Sequence, residues 1–365
     1  MQASLCACKA QAALRRSSTG HSCAIIAQHT FPGCVGQGQE SSREVTHVAA
    51  SMNAVQAPDL RTHIGSLTLQ NPVIAASGTC GYGEELHPFV DLDTLGAVSV
   101  KGLSLHPSKG NPAPRLAETT AGMLNSVGLQ NIGIEAFIAQ KLPALRQYRR
   151  TKIIVNFFGD SPAEYAAVAE RANDAEGIAA LEANISCPNV QHGGMLFSSD
   201  PRSTFQVVER VRKVTSLPLI VKLSPNVTDI TLIARAAEEA GADAVSLINT
   251  LLGMAIDLDT RTPRLPLGTG GLSGPAVKPV ALRMVWQVAQ TVRIPVIGLG
   301  GITTGEDALE FLVAGARACQ VGTASFVDPT ACRKIVQEMR RYLRRHHIAT
   351  VAELCGTLRF QSLKD

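Results

Sequence analysis

Aromatic side chains are scarce in this 365-residue sequence, at 4% against 45% hydrophobic residues overall. Its apolar residues are mainly Ala, Val, Ile and Leu, a balance that suits a parallel sheet covered on both faces better than an antiparallel sandwich. No apolar run reaches the roughly 18 residues that a membrane-spanning helix needs, so the sequence predicts a soluble protein. The length allows one large α/β barrel or two small domains.

The sequence also lacks a strong excess of positive or negative charge, since its formal net charge is only +4. A nucleic-acid-binding protein would be expected to carry a clustered basic stripe. Basic residues do concentrate near the C-terminus, at Arg333, Lys334, Arg340, Arg341, Arg344 and Arg345. We interpret them as the solvated face of a helix; the alternative is a docking surface for an acidic partner.

The nine cysteines form no CxxC pair, so no zinc site and no iron–sulfur cluster held by this chain is predicted. They are scattered through the chain, at Cys6, Cys8, Cys23, Cys34, Cys80, Cys187, Cys319, Cys332 and Cys355. So many unpaired thiols indicate a reducing compartment.

Residues 1–55 differ in composition from the rest of the chain. They are rich in Ala, Ser, Gln and Cys and contain no acidic residue before Glu40. This composition is typical of an organelle transit peptide, which would send the protein to a plastid or mitochondrion. The alternative is that translation begins at Met52 and that the product is cytoplasmic. In either case we expect a disordered leader that takes no part in the fold.

From residue 60 onward, short apolar runs alternate with amphipathic stretches. The predicted strands are 72–77, 97–101, 152–157, 180–185, 218–223, 242–248, 295–299 and 318–321. The predicted helices between them are 162–173, 203–215, 229–240, 274–291 and 304–314. Eight strands with crossing helices predict a single (β/α)8 TIM barrel over residues 56–350, followed by a tail over 351–365. An open doubly wound sheet is the alternative.

Glycines close the last two predicted strands, in the sequence GLGG at 298–301 and at Gly322 followed by Thr323. Glycine lets backbone N–H groups approach an anion closely. In barrels of this type the loops after the seventh and eighth strands commonly hold a phosphate, so we expect a phosphate site here.

Polar residues stand at the ends of the other predicted strands. They are Ser77, Lys101, Asn156, Asn184, Lys222, Asn249 and Thr250. A lysine that ends an apolar run is costly to bury unless an anion or an electron-rich ring accepts it. Amides and hydroxyls supply the directional hydrogen bonds that a planar heterocycle requires. These residues therefore predict a ligand site at the C-terminal rim of the barrel.

Cys187 stands just past the fourth predicted strand, in the sequence NISCPN at 184–189. A free cysteine is more often a small buried apolar residue than a reactive one. Here the following proline and the flanking asparagines predict a rigid polar turn. A thiol in such a turn is a candidate base once it is partly deprotonated.

At this point the sequence resembles the class 1 dihydroorotate dehydrogenases. The resemblance rests on NISCPN at 184–189, NSVGLQN at 125–131, VKLSPN at 221–226, NTLLG at 249–253 and GGLSGP at 270–275, and it extends from about residue 64 to 343. Residues 128–131 and 248–257 are most similar to class 1B, whose members reduce NAD through a second subunit.

The resemblance implies a set of site residues. The positions that match FMN contacts are Ser77, Lys101, Gly102, Asn156, Asn184, Lys222, Ile248, Gly274, Gly300, Gly301, Gly322 and Thr323. Those that match substrate contacts are Lys101, Asn125, Ser126, Val127, Gly128, Leu129, Asn184, Asn249 and Thr250. Cys187 matches the catalytic base, and Lys101 matches a residue that assists catalysis electrostatically; no metal is implied.

The implied function is oxidation of dihydroorotate to orotate in pyrimidine biosynthesis, with hydride passing to FMN. The implied partners are an FAD and [2Fe–2S] electron-transfer subunit and a second copy of the chain in a homodimer; neither nucleic acid nor a membrane is implied. Fumarate, as in class 1A, is the competing electron acceptor. Two other functions stay open: a dihydropyrimidine dehydrogenase-type barrel acting on an uncharged ring, and a non-catalytic phosphate-binding barrel.

We expect Cys187→Ala to slow flavin reduction by roughly 10²–10⁴-fold, the usual contribution of a general base, while FMN stays bound. Stopped-flow absorbance with dihydroorotate measures this rate. Wild-type activity should rise with pH toward the thiol pKa of about 8.5. Unchanged reduction by the variant at neutral pH, or a flat wild-type profile from about pH 6 to 9, would contradict the role of Cys187.

Overall fold

The computed structural model describes residues 57–186 and 197–360. The described residues belong to one compact unit, Val55–Asp365. The predicted leader, Cys187 and residues 361–365 of the predicted tail lie outside the described residues.

The strands are short and are numbered here in chain order. They are β1 Thr62–Ile64, β2 Leu67–Leu69, β3 Val73–Ala75, β4 Ala97–Ser99, β5 Leu116–Thr119, β6 Gly122–Asn125, β7 Lys152–Phe157, β8 Ala180–Asn184, β9 Leu219–Lys222, β10 Ala244–Leu247, β11 Leu251–Gly253, β12 Ile256–Asp257, β13 Thr262–Pro263, β14 Gly270–Ser273, β15 Val296–Leu299 and β16 Ala318–Val321.

The α-helices follow the barrel strands and cover them. They are α1 Ile134–Gln140, α2 Leu142–Leu145, α3 Pro162–Asn173, α4 Pro201–Arg212, α5 Ile230–Glu239, α6 Lys278–Ala289, α7 Gly305–Val313, α8 Ala324–Val327 and α9 Ala331–Arg345. Short 3₁₀ helices form at Leu92–Thr94, Pro275–Val277 and Val351–Leu354. Among the described residues, no helix is long and apolar enough to cross a membrane.

Eight strands close into a parallel barrel. Their order around it is β10, β15, β16, β3, β4, β7, β8 and β9, and β9 pairs with β10 to complete the ring. Each strand predicted from the sequence overlaps one of these eight. The prediction of a (β/α)8 barrel is confirmed, and the open doubly wound sheet is wrong because β9 and β10 pair.

Side chains alternate between the inside and outside of the barrel, so inward residues recur every second position. The lowest inward layer consists of Ile and Ala in turn: Ile74, Ala97, Ile154, Ala180, Ile220, Ala244, Ile297 and Ala318. Large and small residues on neighbouring strands interdigitate and fill the interior. Two positions further along β4, β8, β10 and β16 the inward residues are polar: Ser99, Glu182, Ser246 and Gln320.

The antiparallel hairpin of β1 and β2 closes the N-terminal end of the barrel. Its apolar side chains Ile64, Leu67 and Leu69 are buried and pack in one cluster with the Ile and Ala layer. Every second residue of the hairpin is buried, as a half-exposed hairpin requires.

A second sheet lies at the C-terminal end of the barrel. It is antiparallel, with the order β11, β14, β6, β5, and the connections after β4 and β10 supply its strands. The long connection 102–132, in which the sequence predicted no regular structure, therefore contains β5 and β6. Asn125 pairs with Gly271 in this sheet, which brings the NSVGLQN segment to the barrel mouth.

Helix α9 carries the basic residues near the C-terminus. Ile335, Met339 and Leu343 are buried on one side of it, and the arginines and lysine named above are all exposed on the other. This distribution is that of an amphipathic helix with a solvated charged face.

Gly298, in β15, is required for close packing of α7 against the barrel. A Cβ there would lie 2.4 Å from the ring of Phe311, which is fully buried. We expect Gly298→Ala to lower the free energy of unfolding by about 1–3 kcal/mol, because overpacking displaces the ring. Denaturant unfolding measures this. Gly322→Ala is the matched control, since a Cβ there makes only ordinary contacts of 3.6 Å or more; equal losses in both variants would contradict the packing argument.

Candidate functional site

One cavity opens at the C-terminal end of the barrel, between the strand ends and the second sheet. Its lining brings together residues from all eight barrel strands or the loops that follow them. Nearly every site residue that the resemblance implied lines it: Ser77, Lys101, Gly102, Asn125, Val127, Gly128, Leu129, Asn156, Asn184, Lys222, Ile248, Asn249, Thr250, Gly274, Gly300, Gly301, Gly322 and Thr323.

Among the described residues that the resemblance implied, Ser126 is not part of this lining. Ser126 is buried below the surface of the loop, where its hydroxyl accepts a hydrogen bond from Asn111 Nδ2 at 3.1 Å. It therefore supports the loop, while its neighbours Asn125 and Val127 face the cavity. Cys187 lies outside the described residues, so its role as base stays a prediction.

The strand alternation explains why these residue types reach the cavity. Asn156 and Lys222 are each two positions beyond an isoleucine of the lowest layer, on β7 and β9. Lys101 and Asn184 are each two positions beyond the polar layer of Ser99 and Glu182. Inward-facing positions at the strand ends thus project toward the ligand space.

Glu182 lies fully buried in the barrel interior, directly below the cavity. Its Oε1 accepts hydrogen bonds from Ser246 Oγ at 2.8 Å and from Gln320 Nε2. Its Oε2 accepts from Ser99 Oγ at 2.8 Å and from Asn156 Nδ2 at 2.7 Å. Both carboxylate oxygens are therefore fully satisfied.

The charge on Glu182 is retained despite its burial. Burial alone would raise the pKa of this carboxyl group, since it disfavours the charged form. The nearby ammonium of Lys222 and the hydrogen bonds from the surrounding side chains outweigh burial, and the net result is a pKa below the usual value. The barrel thus holds a fixed negative charge beneath the cavity.

Two lysines, Lys101 and Lys222, face the cavity. Neither Lys101 nor Lys222 forms an ion pair within the part of the chain that the structure describes, and Lys222 is only 6% exposed. Burial lowers the pKa of Lys101, with a smaller opposing influence from Glu85. Cations held in this way favour an anionic or electron-rich ligand.

Asparagines on the rim are held in defined orientations. Asn184 Oδ1 accepts from Ser186 Oγ at 3.0 Å and from Asn249 Nδ2 at 3.2 Å. Asn249 Nδ2 also donates to Ser186 Oγ at 2.7 Å, and its Oδ1 accepts from the backbone N–H of Thr250. Across the cavity, Asn125 Nδ2 donates to the carbonyl of Gly271 at 3.1 Å. These contacts fix the amides before a ligand binds.

The loop after β15 approaches its neighbours too closely to carry side chains. Gly300 and Gly301 have φ values of 128° and 75°. A Cβ on Gly301 would lie 2.9 Å from the carbonyl oxygen of Gly274. Thr323, after β16, donates from Oγ1 to Ser273 Oγ at 2.8 Å on the same side of the cavity. Exposed backbone at this position suits a phosphate group.

The described cysteines are packing residues. Cys80, Cys319 and Cys332 are buried, and burial raises the pKa of each thiol, that of Cys332 to about 11. Cys80 donates to the carbonyl of Ser99 at 3.1 Å. A thiol that stays protonated at neutral pH is not a useful base.

The sequence-based prediction missed part of the site. Glu182 and Gln320 were absent from it, as were Met123, Leu272, Val277 and Phe326 in the cavity lining. A signal for Glu182 was present, because an acidic residue inside the buried strand ALEAN violates the apolar pattern of its neighbours. No comparable signal marks the apolar lining residues, which resemble ordinary core residues in sequence.

The fold and the cavity define a (β/α)8-barrel enzyme whose ligand binds at the C-terminal face, against lysine, amide and glycine-loop contacts. The profile of one family, described as "Dihydroorotate dehydrogenase", matches residues 59–343. The chain belongs to the dihydroorotate dehydrogenase family, a family of oxidoreductases. The sequence-based prediction of this family is confirmed.

Curated relatives agree with the class 1B resemblance. Over 304 residues the chain is 60% identical to the protein named "Dihydroorotate dehydrogenase B (NAD(+)), catalytic subunit" of Geobacter sulfurreducens, a match that covers 83% of this chain and 99% of the relative. It is 58% identical over 301 residues to the protein of the same name from Pelobacter propionicus, covering 82% and 99%. The prediction of class 1B is confirmed by these matches.

A solved structure supports the fold. A dihydroorotate dehydrogenase from Eimeria tenella, in complex with ferulenol, superposes with a TM-score of 0.70 at 23% identity, covering 82% of this chain and 88% of that one. At this identity the likeness establishes the shared barrel and nothing finer.

We expect Gly301→Ala to weaken FMN binding by at least tenfold, because the added Cβ would displace the Gly274 backbone, which lines the cavity. Gly356→Ala is the matched control: Gly356 has a similar φ of 74°, but nothing lies within 4 Å of an added Cβ. Both variants carry the same backbone strain, so fluorescence titration with FMN separates strain from contact. Equal affinities in the two variants would contradict this function of the loop.

Proposed function

We propose that this protein oxidises dihydroorotate to orotate in pyrimidine biosynthesis, with bound FMN and with Cys187 as the base. Family membership supports the reaction. The observation that carries the site assignment is the convergence in one cavity of two lysines that form no close ion pair among the described residues, oriented asparagine amides and a glycine loop.

The residues present fit FMN. Gly300, Gly301, Gly322 and Thr323 would hold its phosphate at the loops after β15 and β16. The amide oxygens Asn156 Oδ1 and Gln320 Oε1 are buried and have no hydrogen-bond partner among the described residues, so an acceptor is available to the N3–H of the isoalloxazine ring, the one N–H of its oxidised form. Lys222 would stabilise negative charge on that ring.

The substrate would be held by residues of the rim and of the second sheet. Lys101 supplies a cation for the carboxylate of dihydroorotate, and the 125–129 segment and Thr250 complete the pocket around its ring. Asn125, Asn184 and Asn249 would orient the ring, which lowers the entropic part of the barrier. When bound, FMN supplies the acceptor for the hydride that leaves C6.

Cys187 would remove the proton from C5. The residues that precede it support this role, since Ser186 is hydrogen-bonded to Asn184 and Asn249, both of which line the cavity. The chain is therefore anchored at the cavity rim one residue before the thiol. The buried thiols elsewhere in the described chain have raised pKa values and offer no alternative base.

We further propose that the protein acts as a homodimer and with an FAD and [2Fe–2S] subunit that passes electrons to NAD. The relatives' names, which specify NAD(+) and a catalytic subunit, support the second subunit. Assays of the isolated chain with NAD, fumarate and quinone test this: turnover with fumarate alone would favour the class 1A chemistry.

We also propose that the leader, residues 1–55, is a transit peptide. This proposal is supported only by the basic and acid-poor composition of the segment. The bacterial relatives do not support it. The match to the Geobacter sulfurreducens protein covers 99% of that relative but only 83% of this chain. Residues 1–55 fused to a fluorescent protein would report the compartment; a cytoplasmic signal would favour the start at Met52.

The visible spectrum tests the reaction directly. Purified protein reconstituted with FMN should lose its flavin absorbance on anaerobic addition of dihydroorotate, because hydride transfer reduces the ring. Dihydrouracil is the control substrate, as it lacks the carboxylate that Lys101 would bind. Bleaching by dihydrouracil but not by dihydroorotate would favour the dihydropyrimidine dehydrogenase-type function, and a colourless protein that takes up no FMN would favour a non-catalytic barrel.

A further inference from the structure

The polar layer beneath the cavity has a feature that the reaction alone does not explain. Four donors converge on one fully buried carboxylate, and two of them belong to amide side chains that also line the cavity. The barrel could have filled this level with aliphatic residues, as it does in the Ile and Ala layer below. A buried charge is costly, and replacing such a group with apolar residues is often neutral or stabilising.

The chemistry of a carboxylate decides how the two amides are turned. An ionised carboxylate accepts hydrogen bonds and donates none. Asn156 and Gln320 must therefore direct their NH2 groups toward Glu182, and this contact fixes which amide atom is nitrogen and which is oxygen. Their oxygens are left on the opposite side, buried and without a partner among the described residues.

The surrounding backbone leaves room at these oxygens. A Cβ on Gly102 would lie 2.9 Å from Asn156 Oδ1, so glycine at this position keeps the acceptor accessible. Gln320 lies on β16, and Gly322 follows two positions later, just past the end of that strand, which places the second acceptor one layer below the glycine loop. Two acceptors thus face the floor of the cavity.

We propose that Glu182 is a positioning residue, whose carboxylate holds the amides of Asn156 and Gln320 with their oxygens toward the cavity and so selects a ligand ring that presents an N–H donor there. This inference rests on the proposed function, in which that ring is the isoalloxazine of FMN. Glu182 itself has no contact with the ligand in this arrangement. Its negative charge also opposes electron gain by a ring above it, and thereby offsets part of the effect of Lys222.

Glu182→Gln separates these roles from packing, because it preserves shape and removes the charge. A glutamine at 182 has one oxygen to accept and one NH2 to donate. Serine hydroxyls can rotate to suit it, but one of the two amides must turn its oxygen inward and its NH2 toward the ligand. An acceptor on the cavity floor is then replaced by a donor.

We expect Glu182→Gln to weaken FMN binding roughly 10- to 100-fold, the range for a lost and mismatched hydrogen bond. Fluorescence titration measures this affinity. The two-electron reduction potential of bound FMN should become more positive, because the negative charge that opposes electron gain is removed. If oxidised FMN loses ten times more affinity than reduced FMN, the potential rises by about 30 mV. Dye-equilibrated spectroscopic titration measures the potential.

Ser246→Ala is the matched control. Ser246 donates to the same carboxylate but does not line the cavity. Its loss leaves the charge and both amide orientations in place, so FMN affinity should stay within about threefold and the potential should not change. An equal loss of affinity in Ser246→Ala and Glu182→Gln would show that general disruption of the network is responsible, and would overturn the inference.

Gln320→Met provides a second variant if Glu182→Gln does not fold. It keeps Glu182 and three of its donors and removes one cavity acceptor, so FMN binding should fall about tenfold. Unchanged binding in this variant, or unchanged binding and potential in Glu182→Gln, would overturn the inference while the proposed function stands. Wild-type protein that binds no FMN would overturn the proposed function as well.

Discussion

The alternation of side chains along eight closed strands decides which residues reach the ligand. Inward positions recur every second residue, and the barrel interior is too narrow for more than a few large side chains at each level. From the base of the barrel to its mouth, the inward side chains form an apolar level, then a polar level centred on Glu182, and then a level of lysine and asparagine side chains. Because the levels are stacked, a substitution at one of them is transmitted to the residues above it.

The electrostatics of the site follow from this stacking. Lys222 lies near the buried carboxylate and lowers its pKa without forming a close ion pair with it in the described structure. Lys101 is less buried and lies at the rim, where the substrate carboxylate is proposed to bind. The lower lysine is therefore suited to charge on a bound ring, and the upper one to charge on the substrate. The barrel thereby places one cation at each of two depths.

Much of the fold could be predicted from the sequence because strand periodicity and glycine placement are local signals. The strand at Lys152–Phe157 and the helix at Pro162–Asn173 have the predicted bounds. The second sheet could not be predicted, since its strands are short, mostly half-buried and paired across as many as 146 positions, as between Asn125 and Gly271. The family resemblance supplied the site residues, but it could not distinguish Ser126, which faces the loop interior, from the neighbours that line the cavity.

The hairpin that plugs the base of the barrel has a kinetic consequence. Ile64, Leu67 and Leu69 pack against the Ile and Ala layer that already fills the interior, so the cavity above the polar layer has no route out through the base of the barrel. Substrate entry and product departure then both take place at the C-terminal end of the barrel. Orotate must therefore leave the cavity before another dihydroorotate can bind. Accumulated product competes directly with substrate for the same space.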